Sequence, residues 1–331
     1  MLDIILGALL PMAVTFLLGF VAAWRRDFGP KDAAILNRMV LHYAVPLLLF
    51  AGTVSTPRAE LSQDIPLLIA LFAAIVGLYG VVLLLSRFAF RRRMSASALA
   101  GLTASAPAVP FSAVLGPLFG GPIAAVPIAI ASLVINLTVM PVTILLLTLD
   151  TTGDQSLGTS PAKDWGHSAS PPASPPALSG SVLAAKLAQT VKEPIVWAPV
   201  LAFVIVLSGA DIPQLIVHSL SVLGCASGGV ALFASGIVLA SGTIKVSWYV
   251  LFLVFLKNIV QPALVLGSLR WLGYGNPIVS EAVLMTAIPA MPMVIMLAVQ
   301  YRALEAEVAS AVFLSVIGSV ITMGAFIALT S

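Results

Sequence analysis

Pro107-Ala108-Val109-Pro110 and its echo Pro289-Ala290-Met291-Pro292 decide the fold of this chain. Each tetrapeptide sits in the middle of an apolar run long enough to cross a bilayer. Prolines three residues apart remove backbone donors and clash with the preceding turn, so neither run can be one continuous helix. Lipid tolerates an interrupted helix only where the freed backbone groups find protein or a water-filled cavity. Interrupted hydrophobic segments at corresponding places in two halves point to the binding site of a secondary transporter. Simple kinking for packing is the plainer alternative.

Composition sets the class. The chain is 60% hydrophobic and 9% charged, with a mean hydropathy of +1.10, whereas soluble domains are about a quarter charged. Ten spans are expected, at roughly 4–23, 34–55, 65–88, 97–118, 123–149, 194–209, 213–241, 246–270, 278–300 and 306–329. The first carries Asp3 where a signal peptide would carry basic residues, so it reads as a membrane helix, with a cleaved signal the minor alternative. Charge placement tests the count. With both termini outside, inner loops collect Arg25, Arg26, Lys31, Arg38, Arg87, Arg91, Arg92, Arg93, Lys163, Lys186, Lys192, Lys245 and Arg302. Outer loops keep Arg58 and Arg270; with Lys257 inside a span, these are the chain's 16 basic residues. That is the positive-inside pattern of a multi-pass protein of the inner (cytoplasmic) membrane. It also accounts for the net charge of +3 without nucleic acid as a partner.

The run Ser168-Ala169-Ser170-Pro171-Pro172-Ala173-Ser174-Pro175-Pro176 cannot bury a core and reads as a cytoplasmic linker. The expected organisation is a first five-helix repeat over 1–150, a linker over 151–192 and a second repeat over 193–331. A shift of 182 residues superimposes Pro107 on Pro289, Pro110 on Pro292, Leu102 on Leu284 and Leu115 on Leu297. Both motifs then lie in the fourth span of their half. Five is odd, so the second repeat enters the membrane with the opposite orientation. The fold class expected is an all-α polytopic membrane protein, with ten helices in two inverted repeats and broken helices four and nine crossing. Half-helix N-termini at such a crossing would suit an anion.

Polar residues inside the spans supply the remaining chemistry. Lys257 lies mid-span, beside Asn258 and one turn from Gln261. An intramembrane lysine costs roughly 2.5–3.5 kcal/mol on insertion scales and normally faces a cavity or a partner. All thirteen acidic residues fall in loops or near span ends, so a substrate carboxylate is the expected partner. A neutral or snorkelling lysine is the plain alternative. Asn136 either bonds across helices or lines the path. Ser105 and Thr286 precede their breaks, where a hydroxyl either contacts substrate or re-satisfies backbone. The substrate-binding set expected is therefore Ser105, Pro107, Pro110, Asn136, Lys257, Asn258, Gln261, Thr286, Pro289 and Pro292. His42 is the proton-linked candidate, with packing the commoner role for such a residue; His218 is a weaker one. Small residues from Gly224 to Gly236 read as a close helix-packing surface. The single cysteine, Cys225, allows no disulfide framework. No metal-ligand spacing, paired catalytic carboxylates or activated nucleophile is present. Neither an enzymatic step, a metal nor a cofactor is expected.

Further residues resemble a known family. Asp32-Ala33-Ala34-Ile35-Leu36-Asn37-Arg38 leading to Tyr43-Ala44-Val45-Pro46-Leu47-Leu48-Leu49-Phe50, and Asn136-Leu137-Thr138-Val139-Met140-Pro141, resemble the second and fifth helices of the auxin efflux carrier family. Its bacterial members include malonate permease-like proteins, and the likeness covers the whole chain. The resemblance implies ten helices, crossing fourth and ninth helices at the substrate site, and a scaffold of helices one, two, six and seven that also makes a homodimer. Family members often carry Asn or Gly near the first crossover, where this chain has Ser105-Ala106-Pro107. The function expected is alternating-access transport of a small organic anion, with malonate suggested only by analogy. A sodium-coupled symporter of the bile-acid type is the main alternative, and a channel or membrane sensor a weaker one.

Overall fold

The computed structural model describes residues 2–55, 65–109, 125–154, 193–210, 212–241 and 245–330. Pro110 and nearly all of the 151–192 segment lie outside them. Among the described residues the chain is helical, apart from one isolated β-bridge. The helices are α1 (Leu2–Trp24), α2 (Pro30–Met39), α3 (Val45–Val54), α4 (Ile65–Phe88), α5 (Met94–Ser105), α6 (Ala125–Val134) and α7 (Met140–Asp154). After 192 come α8 (Pro194–Ser208), α9 (Gln214–Ser241), α10 (Trp248–Phe255), α11 (Gln261–Trp271), α12 (Asn276–Ala287), α13 (Met293–Gln300) and α14 (Glu305–Thr330). Among the described residues, six continuous stretches are long and apolar enough to cross a membrane: Lys31–Val54, Ile65–Phe88, Val126–Asp150, Gln214–Ala240, Trp248–Trp271 and Glu305–Thr330.

Three of these stretches contain one turn of π-helix, and each π turn has the same local cause. The turns are Val40–Ala44, Ile135–Val139 and Leu256–Val260, and one residue beyond each comes proline: Pro46, Pro141 and Pro262. Proline has no N–H to give and its ring displaces the carbonyl four residues back. The residue just before it therefore reaches one further, with Val45 bonding Val40 O, Met140 bonding Ile135 O and Gln261 bonding Leu256 O. Such bulges rotate the following side chains and cluster at functional sites. Here they carry His42, Asn136, and the pair Lys257 and Asn258.

Two packed groups result. In one, α1 runs along α9, and α3 lies against α8 and α9. Gly19 and Gly236 make the first contact possible, because a Cβ on Gly19 would strike the Phe233 carbonyl and one on Gly236 the Phe16 carbonyl. Gly224 does the same at a looser spacing, its missing Cβ falling 2.9 Å from Leu48 Cα. The small-residue run of α9 is thus a packing surface. In the other group, α4 packs on α5, α11 on α12, and α12 on α14.

The interrupted helices form the interior of the second group. Every residue from Ser95 to Ser105 of α5 is buried, as is every residue from Val279 to Ala287 of α12. Apolar side chains such as Ile69, Leu215 and Ile321 point outward on neighbouring helices. A helix buried on all sides between lipid-facing helices suits a site held away from both lipid and water.

Candidate functional site

Both breaks occur where the prolines place them, and they meet. Helix α5 ends at Ser105, Ala106 turns extended (φ −98°, ψ 109°), and Pro107 follows. Helix α12 ends at Ala287, Ile288 turns extended (φ −58°, ψ 145°), and Pro289 follows. The two extended segments run antiparallel and bridge Pro107 to Ala290. The Ala108 amide donates to Pro289 O at 3.0 Å, and the Met291 amide donates to Ala106 O at 3.0 Å. Each break thus supplies partners for groups the other frees, which is how non-helical backbone survives at membrane depth.

A buried polar network holds this crossing from one side. Lys257 is fully buried, and its Nζ donates to Thr286 O at 2.7 Å and to Gln261 Oε1 at 2.8 Å. Gln261 Nε2 in turn donates to Ser105 O at 2.5 Å. Thr286 O and Ser105 O belong to the last turns of α12 and α5. These are C-terminal ends, where carbonyls point forward unpaired and the helix dipole is negative. A cation at that place is favourable, and one lysine with one glutamine serves both ends. Ser105 Oγ is buried without a hydrogen-bond partner, while Thr286 Oγ1 donates back to Ala282 O and Val283 O.

A second strut sits beside the first. Ser315 of α14 accepts the Ala290 amide at 3.1 Å and donates to Asn258 Oδ1 at 2.6 Å, while Asn258 Nδ2 donates to Ser315 O at 2.9 Å. Asn258 and Ser315 therefore hold the backbone of the second break. Ser315 carries no sequence signal, being one of several small polar residues in an apolar helix. Asn136 is buried on its π turn, with Nδ2 3.3 Å from Ser132 Oγ.

On another side of the crossing, Met291, Pro292 and Met293 line a cavity of about 20 Å³ with Val40, Val45, Leu48, Ser227, Gly228 and Ala231. It lies between the two packed groups, and the N-terminus of α13 opens onto it. Of the expected substrate residues only Pro292 lines this cavity. Lys257, Asn258, Gln261, Thr286 and Ser105 are brought together with Pro107 and Pro289 around the crossing, whereas Asn136 bonds Ser132 on its own helix. Pro110 lies outside the described residues.

His42 lines a separate cavity of about 90 Å³ with Glu193, Gln300 and Tyr301. Its Nδ1 lies 3.1 Å from Arg38 O. Burial raises the Glu193 carboxyl above its usual range, and the charge of His42 opposes the rise. The Tyr301 hydroxyl is pushed up to about 12, mainly by burial and then by Glu193, with Thr148 opposing. Glu281 lies near the start of its span, as its sequence position implies, yet it is buried with both carboxyl oxygens lacking hydrogen-bond partners. Composition gives no sign of that burial, which is set by the packing of α12 against α11 and α14.

The geometry is that of a membrane protein built around two paired helix breaks, and comparison with known proteins agrees. Residues 4–327 match the family described as membrane transport protein. The chain belongs to that family. This is the auxin efflux carrier family of the resemblance drawn above, and it is a family of transporters, not enzymes. The chain is also similar to the uncharacterized transporter YfdV of Escherichia coli and of Shigella flexneri. Each is 29% identical over 264 residues, covering 79% of this chain and 77% of the relative. Membership, together with the long apolar helices, makes the protein a multi-pass membrane transporter.

Proposed function

We propose that the protein is a secondary carrier of a small organic anion, a mono- or dicarboxylate of the malonate class, working by alternating access. The observation that carries this reading is the antiparallel pairing of the two Pro-Ala-x-Pro breaks. Pairing between corresponding positions of two halves supports the inverted-repeat plan, with ten helices, repeats over 1–150 and 193–331, and both termini outside the inner membrane. Substrate binds between the packed groups, at the cavity beside Pro292, where the N-terminus of α13 presents a positive dipole end to a carboxylate. At about 20 Å³ that cavity holds one water-sized guest. Loading an anion therefore requires the α5/α12 group to move against the α1/α9 group, and that movement is the transport step. The α1/α9 group is the scaffold through which a homodimer would form.

Lys257 serves this reading as a built-in cation rather than a substrate ligand. Its ammonium already neutralises the C-terminal ends that a sodium-coupled carrier would satisfy with a bound ion. The sodium-coupled alternative loses support for that reason. The test is uptake of labelled malonate and other short carboxylates into proteoliposomes, with sodium or choline outside and with or without a pH gradient. Saturable, sodium-independent uptake is expected. Flux that never saturates would mark a channel, binding without flux a sensor, and uptake requiring sodium the symporter.

A further inference from the structure

The turn between α4 and α5 and the turn between α13 and α14 meet around a cavity of about 370 Å³, large enough for a small ligand. Arg91, Arg92, Arg93 and Arg302 line it, together with Asp150 and Tyr301. The nearby carboxylates are already engaged. Asp150 accepts the Ser95 amide at 2.9 Å, Glu305 faces Arg302, and Glu307 pairs with Lys245 at 3.7 Å. Among the described residues Arg91 and Arg92 form no ion pair, while Arg302 has the Glu305 carboxyl facing it. The cavity thus holds an excess of positive charge in forked guanidinium groups, the geometry that binds phosphate oxygens in pairs.

The backbone adds a second observation. Arg91, Arg302 and Leu304 have φ of 49°, 50° and 51°, in the left-handed region that disfavours side chains. Three strained non-glycine residues around one cavity are the mark of a site whose arrangement is held for a purpose. Glycine would relieve that strain, yet two of the positions carry arginine.

We propose that this cavity binds a phosphate group, supplied by the headgroup of an anionic phospholipid. Its surroundings favour the lipid source. Phe88, three residues before Arg91 in the chain, and Trp248, next to the Tyr249 that Arg92 covers, are 74% and 84% exposed, as aromatic residues are at headgroup level. Phe90 packs on Tyr249 and Phe252, with centroids at 4.8 and 5.6 Å, and the Arg92 guanidinium lies 5.0 Å from the Tyr249 ring centroid. Aromatic packing behind Arg92, with exposed aromatic side chains close by in sequence, fits a headgroup with its acyl chains alongside. Both turns carry inner-loop charge, on the face where anionic lipid attracts basic residues.

The decisive variant is Arg91→Gly/Arg302→Gly, which removes two charges while easing two strained positions. Native mass spectrometry and thermal unfolding in detergent would compare dioleoylphosphatidylglycerol, dioleoylphosphatidylcholine and inorganic phosphate at matched ionic strength. The wild type is expected to retain and be stabilised by phosphatidylglycerol over phosphatidylcholine. The double variant should bind phosphatidylglycerol roughly thirtyfold more weakly, at about one charge's worth of attraction per arginine. Its melting temperature in phosphatidylcholine should be unchanged or higher. Equal stabilisation of the wild type by both lipids would overturn the proposal, as would a phosphatidylglycerol preference that survives in the variant. Stabilisation by free phosphate equal to that by phosphatidylglycerol would overturn the lipid assignment. If the variant fails to fold, lipid discrimination by the wild type and by Arg302→Gly alone decides the matter.

Discussion

Replacing Lys257 tests whether its charge belongs to the crossing or to the substrate. Lys257→Met and Lys257→Gln both remove the ammonium and nearly preserve its volume, so the relief of desolvating a buried charge, several kcal/mol, is common to both and cancels between them. What differs is donation. Methionine leaves Thr286 O and Gln261 Oε1 without the donor that Nζ supplies at 2.7 and 2.8 Å. Glutamine can still donate to one or both. Each buried acceptor left unpaired costs about 1–3 kcal/mol. Lys257→Met should therefore melt below Lys257→Gln by about 1–3 kcal/mol, on the order of 5 °C. Thermal unfolding of the detergent-purified proteins reads this directly. Lys257→Ala adds a second arm. It vacates the volume as well, so exchanging choline for sodium should raise its melting temperature by mass action while leaving the wild type unmoved. The reasoning fails if Met and Gln variants melt together with the wild type, or if the wild type itself gains stability from sodium. Loss of malonate affinity in Lys257→Gln with no change in its melting behaviour would return the lysine to the substrate.

Four further outcomes follow from the same contacts. Ser315→Ala orphans the Ala290 amide and Asn258 Oδ1; it should cost about 1–3 kcal/mol in unfolding measurements, given that membrane hydrogen bonds average near the low end of the usual range. Gly236→Leu forces a side chain into the Phe16 carbonyl of α1, and a loss of at least about 1–3 kcal/mol is expected, whereas Gly267→Leu, with open space around it, should be near neutral. Glu281→Met removes two unpartnered buried oxygens and should raise the melting temperature by the equivalent of about 1–3 kcal/mol; a fall would mean that the carboxyl has a partner. Glu193 has its carboxyl pKa raised above the ordinary value of 4.5 by burial, so the folded state holds that proton more tightly than the unfolded chain. Its contribution to stability is full below pH 4.5 and declines as pH rises through the raised value. Melting curves of Glu193→Gln should lack this decline, and an unchanged pH profile would contradict the burial argument.

The two breaks were legible because proline acts locally: a missing donor and a clashing ring need no knowledge of the rest of the fold. The same logic makes the π turns readable at Val45-Pro46, Met140-Pro141 and Gln261-Pro262, although the spans there read as uninterrupted helices. The depth of Lys257 was legible from its apolar flanks. Its partners were not, because the acceptors are the backbone carbonyl of Thr286 and a glutamine oxygen, and a carbonyl leaves no mark in a sequence. Ser315 was hidden for a related reason. A serine in an apolar helix looks alike whether it bonds its own turn, as Ser319 does, or a break on another helix. Glu281 was legible as a residue near a span boundary, but its burial was not, because its surroundings are set by packing.

The direction of the half-helices bears on what the crossing could offer the proposed substrate. Helices α5 and α12 both arrive with their C-termini, and the carbonyl ends of both are met by Lys257 and Gln261. Helix α13 departs with its N-terminus, and the residues leading into it line the cavity between the packed groups. Negative helix ends are therefore matched internally on one side of the break, while a positive end is turned to the cavity on another. If the lysine instead faced the cavity, the C-terminal carbonyls would need another cation, and carbonyl ends awaiting a cation are how a sodium-coupled carrier begins. On the proposed reading, fixing that cation as a side chain would free transport from it and leave an anion as the ligand that the cavity's dipole favours. The break itself can then stay rigid during transport, its two strands hydrogen-bonded to each other and braced by Asn258 and Ser315. In the proposed mechanism the motion falls at the cavity surface, where no hydrogen bond in the described residues joins Val40, Val45 or Leu48 to Met291 or Pro292, and where the Asn37 Nδ2 bond to Met296 O at 3.0 Å would have to yield.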